Sequence, residues 1–318
     1  MAPATLSLFL ATCIFFLVAP PAAGQLIRDE QLILDLLSSG TIDLSKDVAK
    51  VMAEKESQRK IRRIGLEKND LRIQAAFRDK QLPVAASKKL RVKYLDTYYN
   101  ELAAYIISKQ LGLNIVPATV LRSIGISKTG LQPRDELREG TLQLWIENSH
   151  VEYDLGKNGI DYPGDPTTRN QQLKEIRIFD CIIGNVDRHA GNLLIDFNPR
   201  YKDPAGDQEP FIGKIWAIDH SKAFHRSARL SDQHCKLSEF TVQPVSLAFI
   251  QGIRSWQLVE AEETLRTAGL SEQQLSRLHL DVLERRLSKV HEHLEAEQVA
   301  SKLSDDKFYS SGIWHEVW

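Results

Sequence analysis

Residues 179–195 read FDCIIGNVDRHAGNLLI, and residues 215–224 answer them with IWAIDHSKAF. The first stretch leaves an apolar helical face and enters a polar loop in which Asp187 and Asn192 stand five positions apart. It then alternates apolar residues at Leu193, Ile195 and Phe197, the period of a strand. The second stretch is a strand that ends on Asp219 and turns at once into polar residues. Between them lie residues 198–209, NPRYKDPAGDQE, a turn-rich excursion that lets the two strands pair as a hairpin. Such a hairpin sets Asn192 and Asp219 side by side at one end.

A carboxylate, an amide and a second carboxylate placed this way suit metal-dependent phosphoryl transfer. One carboxylate takes the proton of an attacking hydroxyl, while the amide and the other carboxylate hold a divalent ion against the phosphates. The spacing from Asp187 to Asn192 is the D-x-x-x-x-N of a kinase catalytic loop, and Asp219 stands where the aspartate of DFG would. Asp and Asn also favour turns through local hydrogen bonding alone. Two such turns, each at the end of an apolar strand and spaced in this way, are less easily explained by that preference.

The pair GNVDRHAGNLLID and IDHSKAF resembles the atypical kinases grouped with the phosphatidylinositol 3-/4-kinases, the HipA-type serine kinases and the secretory-pathway Golgi kinases, and most of all the uncharacterised bacterial members of that group. The resemblance runs from about residue 60 to residue 295. It implies an α+β, two-lobed protein-kinase-like fold, with a small β-rich N-lobe and a mainly helical C-lobe that carries a catalytic hairpin. It implies Asp187 as the base, Asn192 and Asp219 as ligands of Mg²⁺ or Mn²⁺, and ATP as the phosphoryl donor.

Residues 71–78, LRIQAAFR, alternate Ile73, Ala75 and Phe77 on one face, which reads as a strand. The third kinase strand carries a lysine that holds the ATP phosphates, and in the resembling families this segment often ends in Phe-Lys. Here it ends in Phe77-Arg78, with Lys80 two positions on. Arg78 is the expected phosphate cation and Lys80 the reserve, against the reading of both as an exposed basic pair. The substitution is not neutral, because the guanidinium fork binds phosphate differently from an ammonium. Glu101, in a helix read over residues 94–110, is expected to pair with that cation; the alternative is a solvent-facing glutamate. Gly65 is the one glycine between residues 41 and 111, so a glycine-rich phosphate loop is absent.

The 318 residues are 42% hydrophobic and carry a net charge of −1, so no global field points to nucleic acid or an anionic membrane. The basic runs at 59–63 and 88–93 read as solvated faces. Residues 6–18, LSLFLATCIFFLV, are too short an apolar run for a comfortable span. With Ala22 and Gly24 before Gln25, residues 1–24 read as a signal peptide, which implies export to a periplasmic or secreted location; an uncleaved membrane anchor is the alternative. Of the remaining cysteines, Cys181 falls on an apolar helix face, and both it and Cys235 are expected as unpaired thiols. No C-x-x-C supports a structural zinc site.

The chain then divides into a helical lead-in (25–57), an N-lobe (58–147), a C-lobe (148–300) and a flexible tail (301–318). The lead-in has two apolar patches, around Leu36 and around Val51, as two short helices. Strands are read at 114–123 and 141–146, a long polar connection at 148–170, and helices at 171–183, 245–268 and 271–296. Arg188 and His189 are expected to steady Asp187, with His189 as a second general base the alternative. The activity read from this is transfer of the γ-phosphoryl group of ATP to a hydroxyl acceptor, a protein slightly ahead of a lipid or small molecule. The alternative is an exported pseudokinase that binds nucleotide or a partner without turnover, favoured by the arginine at the lysine position and the missing glycine loop.

Overall fold

Strand alternation and a tight turn start the first sheet. In the computed structural model, which describes residues 29–43, 61–79, 81–87, 92–125, 137–162, 164–197, 213–226 and 244–310, the chain opens with α1 (Glu30–Ser39) and β1 (Thr41–Asp43). Asp29 caps α1 by accepting from the amides of Gln31 and Leu32, and the helix buries Ile33, Leu36 and Leu37. β1 pairs with β2 (Arg62–Lys68), so this segment is part of the sheet. β2 and β3 (Leu71–Arg78) form a hairpin closed by Asn69 and Asp70, both at positive φ (49° and 63°), as a two-residue turn requires. Ala75 and Phe77 face the core from β3.

β4 (Gln81–Ser87) and β5 (Val92–Thr97) make a separate ribbon. The helix read from residue 94 begins later, as α2 (Tyr99–Gln110); Leu95 lies in β5, where Val92, Tyr94 and Thr97 suit a strand. β6 (Thr119–Gly125) and β7 (Leu137–Leu144) complete a five-stranded antiparallel sheet in the order β1-β2-β3-β7-β6. α2 packs against β6 and β7 and is buried from Tyr99 to Ser108. A helix so enclosed can carry a charged residue only where that residue is paired.

The polar stretch 148–170 is more structured than its composition suggests. It holds β8 (Ser149–Val151), α3 (Glu152–Asn158) and the first turn of α4 (Pro166–Ile183). Asp165 caps α4 through Thr168 N at 2.7 Å, and Pro166 occupies a first-turn position where its missing N–H costs nothing. β9 (Leu193–Asp196) and β10 (Lys214–Ala217) pair antiparallel, Leu193 opposite Ala217, and β8 flanks β9. The region 245–268 is two helices, α5 (Leu247–Ser255) and α6 (Leu258–Thr267), divided at Trp256 and Gln257. Region 271–296 is also two, α7 (Glu272–Arg277) and α8 (Leu280–Ser301), broken by His279 at φ 48°. Ser271 starts α7 in a reciprocal capping box with Gln274. α8 packs along α4.

The tail is docked where it is described. α9 (Asp305–Phe308) leads to a buried Tyr309, and Ser310 bridges to Ser246. The apolar run at 6–18, the second lead-in helix near Val51, Lys80 and the excursion at 198–209 lie outside the described residues. Among the described residues no helix is long and apolar enough to cross a membrane. One expectation is overturned: Cys181 is disulfide-bonded, to a partner outside the described residues. Its burial was read correctly, but burial does not separate a thiol from an equally apolar disulfide.

β7 crosses β3 at Gly140, where a Cβ would meet the Phe77 ring at 2.7 Å and the Arg78 carbonyl oxygen closer still. Gly140→Ala is expected to cost about 2 kcal/mol through overpacking, read by urea denaturation. A change within experimental error would show that the β3–β7 crossing is looser than described.

Candidate active site

α4 ends at Gly184, whose φ of 64° turns the chain out of the helix. The loop that follows is tied to the helix it has left. Asn185 donates to Asp180 Oδ1 at 2.9 Å, and its own side-chain oxygen accepts from Asp187 N at 3.1 Å. Ala190–Asn192 form a single 3₁₀ turn, in which His189 Nδ1 accepts from Gly191 N at 3.0 Å. Asn192 Nδ2 donates to the Asp187 carbonyl at 3.0 Å, so its nitrogen is spent within the loop and its oxygen is the end left to act as a ligand. Ile218 N donates to Asn192 O at 3.1 Å, extending the β9–β10 pairing by one step and placing Asn192 beside the residue before Asp219. Asp219 itself has φ 58° and carries the chain away from β10.

Arg188 does not steady the Asp187 carboxylate as expected from sequence. Its Nε and Nη2 donate to the two oxygens of Asp180 at 2.7 and 3.0 Å. Nη1 donates to the carbonyls of Asn192 and Ile218, both at 2.6 Å, and Nη2 contacts His220 Nε2 at 2.8 Å. All five guanidinium hydrogens are thereby matched. Because arginine only donates, His220 Nε2 is the acceptor and the proton of that neutral ring sits on Nδ1. His189 is occupied in the turn. The loop's shape, set by α4 and the hairpin, assigns these roles; proximity in sequence does not.

The cationic side of the site is built by the sheet and α2. Arg78, the last residue of β3, lies 2.8 Å from Asp219 Oδ1 and 3.1 Å from Glu101 Oε1, both through Nη1. Burial works against the Arg78 charge, but Asp219 and Glu101 outweigh it and hold the guanidinium above its ordinary value. Glu101 is fully enclosed; burial raises its proton affinity, yet Arg78 and a hydrogen bond from the backbone of His220 (3.0 Å to Oε2) bring it below its ordinary value of 4.5. His220 Nδ1 lies 3.6 Å from the same Oε2, too far for a hydrogen bond.

The structure thus gathers Arg78, Glu101 and Asp219 into one cluster, gathers Asp187 and Asn192 into one loop, and joins the two through the β9–β10 end. Lys80 lies outside the described residues. A further residue, absent from the sequence reading, completes the site: Lys222 Nζ forms an ion pair with Asp187 Oδ2. Asn100 is another, donating to the carbonyls of Ser221 (2.8 Å) and Ala223 (3.1 Å). Lys222 carried one signal, its place three residues beyond Asp219 in the turn.

Among the described residues no three His, Cys, Asp or Glu side chains cluster as a metal site. The groups that could hold a metal here are a carboxylate, Asp219, and an amide oxygen, Asn192. Two hard oxygen donors at one hairpin end fit a Mg²⁺ or Mn²⁺ ion that takes its other ligands from phosphate and water.

No protein-family model matches the chain. A curated Mycobacterium tuberculosis protein, Rv2133c, is 24% identical over 157 residues, 41% of this chain and 48% of that protein; the match spans about half the relative's length. Among solved structures, hydra Fam20 with sugar aligns over 87% of this chain and 90% of its own, with a TM-score of 0.58 at 15% identity. The Golgi casein kinase aligns over 89% and 80%, with a TM-score of 0.58 at 16% identity, and a structure of it with Mn/ADP bound aligns over 87% and 78%, with a TM-score of 0.52 at 17% identity. The fold is the kinase-like one of these structures. Of the resemblance read from the two loops, the Golgi-kinase branch is the part these structures support.

Kinase-like proteins pair a strand cation with a helix carboxylate, and here that pair is testable by acid. Glu101 binds its proton more weakly folded than unfolded. Its stabilisation is therefore full above its unfolded value of 4.5 and lost as the pH falls through the lower folded value. Glu101→Gln should destabilise the fold by about 2 kcal/mol at neutral pH, the scale of a charged hydrogen bond. In denaturant titrations the gap from wild type should narrow in acid; a gap that holds constant or widens would rule out an ionised Glu101.

Proposed function

We propose that the chain transfers the γ-phosphoryl group of ATP to a hydroxyl acceptor. The observation that carries this is the cluster of Arg78, Glu101 and Asp219, joined through one hairpin end to the loop of Asp187 and Asn192. Little covalent chemistry falls to the protein in phosphoryl transfer, so what matters is position and charge.

Asp187 accepts the proton of the acceptor hydroxyl. The acceptor oxygen bonds to the γ-phosphorus as the bond to the β–γ bridging oxygen breaks, and ADP leaves with that electron pair. Asn192 and Asp219 would hold Mg²⁺ or Mn²⁺, which supplies charge neutralisation at the phosphates. Arg78 neutralises phosphate from the sheet side, and Glu101 keeps it aimed. The Golgi casein kinase with Mn/ADP bound supports a nucleotide and a divalent ion at a site of this fold. A sugar in hydra Fam20 and casein in the name of the Golgi enzyme support a hydroxyl acceptor; a protein hydroxyl is favoured over a lipid headgroup, since the net charge of −1 offers an anionic membrane no attraction.

Export is part of the same reading. The apolar run at 6–18 and the disulfide of Cys181 both suit an oxidising compartment outside the cytosol, with residues 1–24 as the leader. The second reading is a pseudokinase. It is favoured by Arg78 at the lysine position and by the ion pair that occupies the Asp187 carboxylate.

The chain from Gln25, given ATP with Mg²⁺ or Mn²⁺ and offered protein, glycan and lipid acceptors, separates these readings. Metal-dependent transfer of labelled phosphate is expected, falling by about 10³-fold or more in Asp187→Ala and Asp219→Ala. Nucleotide binding without transfer to any acceptor would establish the pseudokinase. The same turnover in both variants would remove these residues from the mechanism.

A further inference from the structure

We propose that Lys222 is the cation that receives the terminal phosphate of the nucleoside triphosphate, holding it in line with the hydroxyl that Asp187 positions. The assignment rests on the phosphoryl-transfer reading above and adds to it a residue that reading does not contain.

The first observation is place. Lys222 Nζ touches Asp187 Oδ2, the carboxylate to which the acceptor hydroxyl must come. A group bonded to the base lies beside the path on which the γ-phosphorus meets that hydroxyl. An ammonium has three donors, so one group can serve Asp187 and a phosphate oxygen together. The lysine stem is flexible enough to follow that oxygen as charge develops.

The second observation is how firmly the backbone under Lys222 is held. Ser221 O accepts from Thr97 N at 2.9 Å and from Asn100 Nδ2 at 2.8 Å. Ala223 O accepts from Asn100 Nδ2 at 3.1 Å, and Phe224 N donates to Ile183 O at 2.7 Å. The carbonyls on both sides of Lys222 are thus bolted to the start of α2, and the next amide but one is bolted to the end of α4. With Asp219 at φ 58°, the turn has one course open to it, and that course delivers Lys222 to Asp187. An ordinary surface ion pair, worth little, needs no such scaffold. Only 12% of the Lys222 side chain is exposed.

The third observation is the distribution of charge. The transferred group spreads negative charge over three equatorial oxygens, which a single metal and a single cation do not surround. Arg188 has every hydrogen engaged in holding the loop. Arg78 approaches from the sheet, beside Asp219, on the side of the metal ligands. Lys222 approaches from the side of the base. During transfer it gives up no proton: the hydroxyl proton passes to Asp187, and Lys222 stays an ammonium throughout.

The test compares ATP with ADP, because only ATP has the phosphate that Lys222 is assigned. The full chain with Mn²⁺ is titrated with each nucleotide, as wild type, Lys222→Met and Lys222→Arg, and transfer is measured on the same samples. Lys222→Met is expected to bind ADP as wild type does, to bind ATP about tenfold more weakly, and to turn over about 10²–10³-fold more slowly. Lys222→Arg is expected to recover most of both losses. Where Lys222→Met fails to melt cooperatively, Lys222→Gln takes its place. An unchanged ratio of ATP to ADP affinity, or turnover near wild type, would overturn the assignment while leaving the kinase reading intact. A wild-type chain that binds neither nucleotide would overturn both.

Discussion

The guanidinium of Arg188 is the constraint on which both halves of the site depend. Its five hydrogens reach Asp180 on α4, the carbonyl of Asn192, the carbonyl of Ile218 and the ring of His220. The two carbonyls belong to adjacent points of the β9–β10 pair, so one planar fork sets how far the loop of Asp187 and Asn192 stands from the residue before Asp219. Lysine could not substitute, because a point charge with three rotatable donors does not fix five acceptors in a plane. Removing Asp180 would strand a largely enclosed cation, the expensive kind of loss.

From Arg188 the constraint passes upward through His220 to α2 and the sheet. His220 takes a hydrogen bond from Arg188 on one side, and its backbone amide binds Glu101 on the other. Glu101 in turn meets Arg78, and Arg78 meets Asp219, one residue before His220. The path closes on itself through the side chains of Glu101, Arg78 and Asp219 and the backbone that joins Asp219 to His220. Any motion of the β-rich lobe that carries Arg78 away therefore also strains the loop that presents Asp187. The buried flank of α2, from Tyr99 to Ser108, encloses the Glu101 end of that path, and a low local dielectric strengthens a charge pair there.

Much of this was legible in the residues, and what was not has a common cause. Alternation along 71–78 marked β3 and put Phe77 inward and Arg78 at its end. The D-x-x-x-x-N spacing and the two strands flanking 198–209 marked the hairpin. Those are local patterns, and local patterns survive folding. Misread segments were those where composition argued against order: 148–170 is rich in Gly and Pro, yet Asp165 and Pro166 are a cap and a first-turn proline, a helix start in plain view. β5 was absorbed into the helix that follows it because Leu95 fell by chance at helical spacing. The contacts of Lys222 and Arg188 were hidden for a different reason. Their partners are fixed by backbone turned into the left-handed region at Gly184 and Asp219, and a residue's address after such a turn is not written in its neighbours.

The arginine at the end of β3 need not mark a disabled site. Both of its carboxylate contacts run through Nη1, the one nitrogen that does what a lysine ammonium would do. Nε and Nη2 are not spent on either carboxylate, so the guanidinium can keep the strand-to-helix ion pair and still offer donors to phosphate in its bidentate geometry. A buried lysine between two acids would owe its charge to them, whereas an arginine stays charged through any exchange of partners. On the proposed reading, then, the substitution would change how phosphate is gripped more than whether it is gripped. The loss to explain is the glycine-rich loop: Gly65 is the one glycine between residues 41 and 111, and the Asn69–Asp70 turn lies at the end of β3 away from Arg78. On the proposed reading a site without that cover would take its phosphate contacts from elsewhere, and the ordered turn from Asp219 to Phe224 is a place where the chain supplies rigid backbone and a cation together.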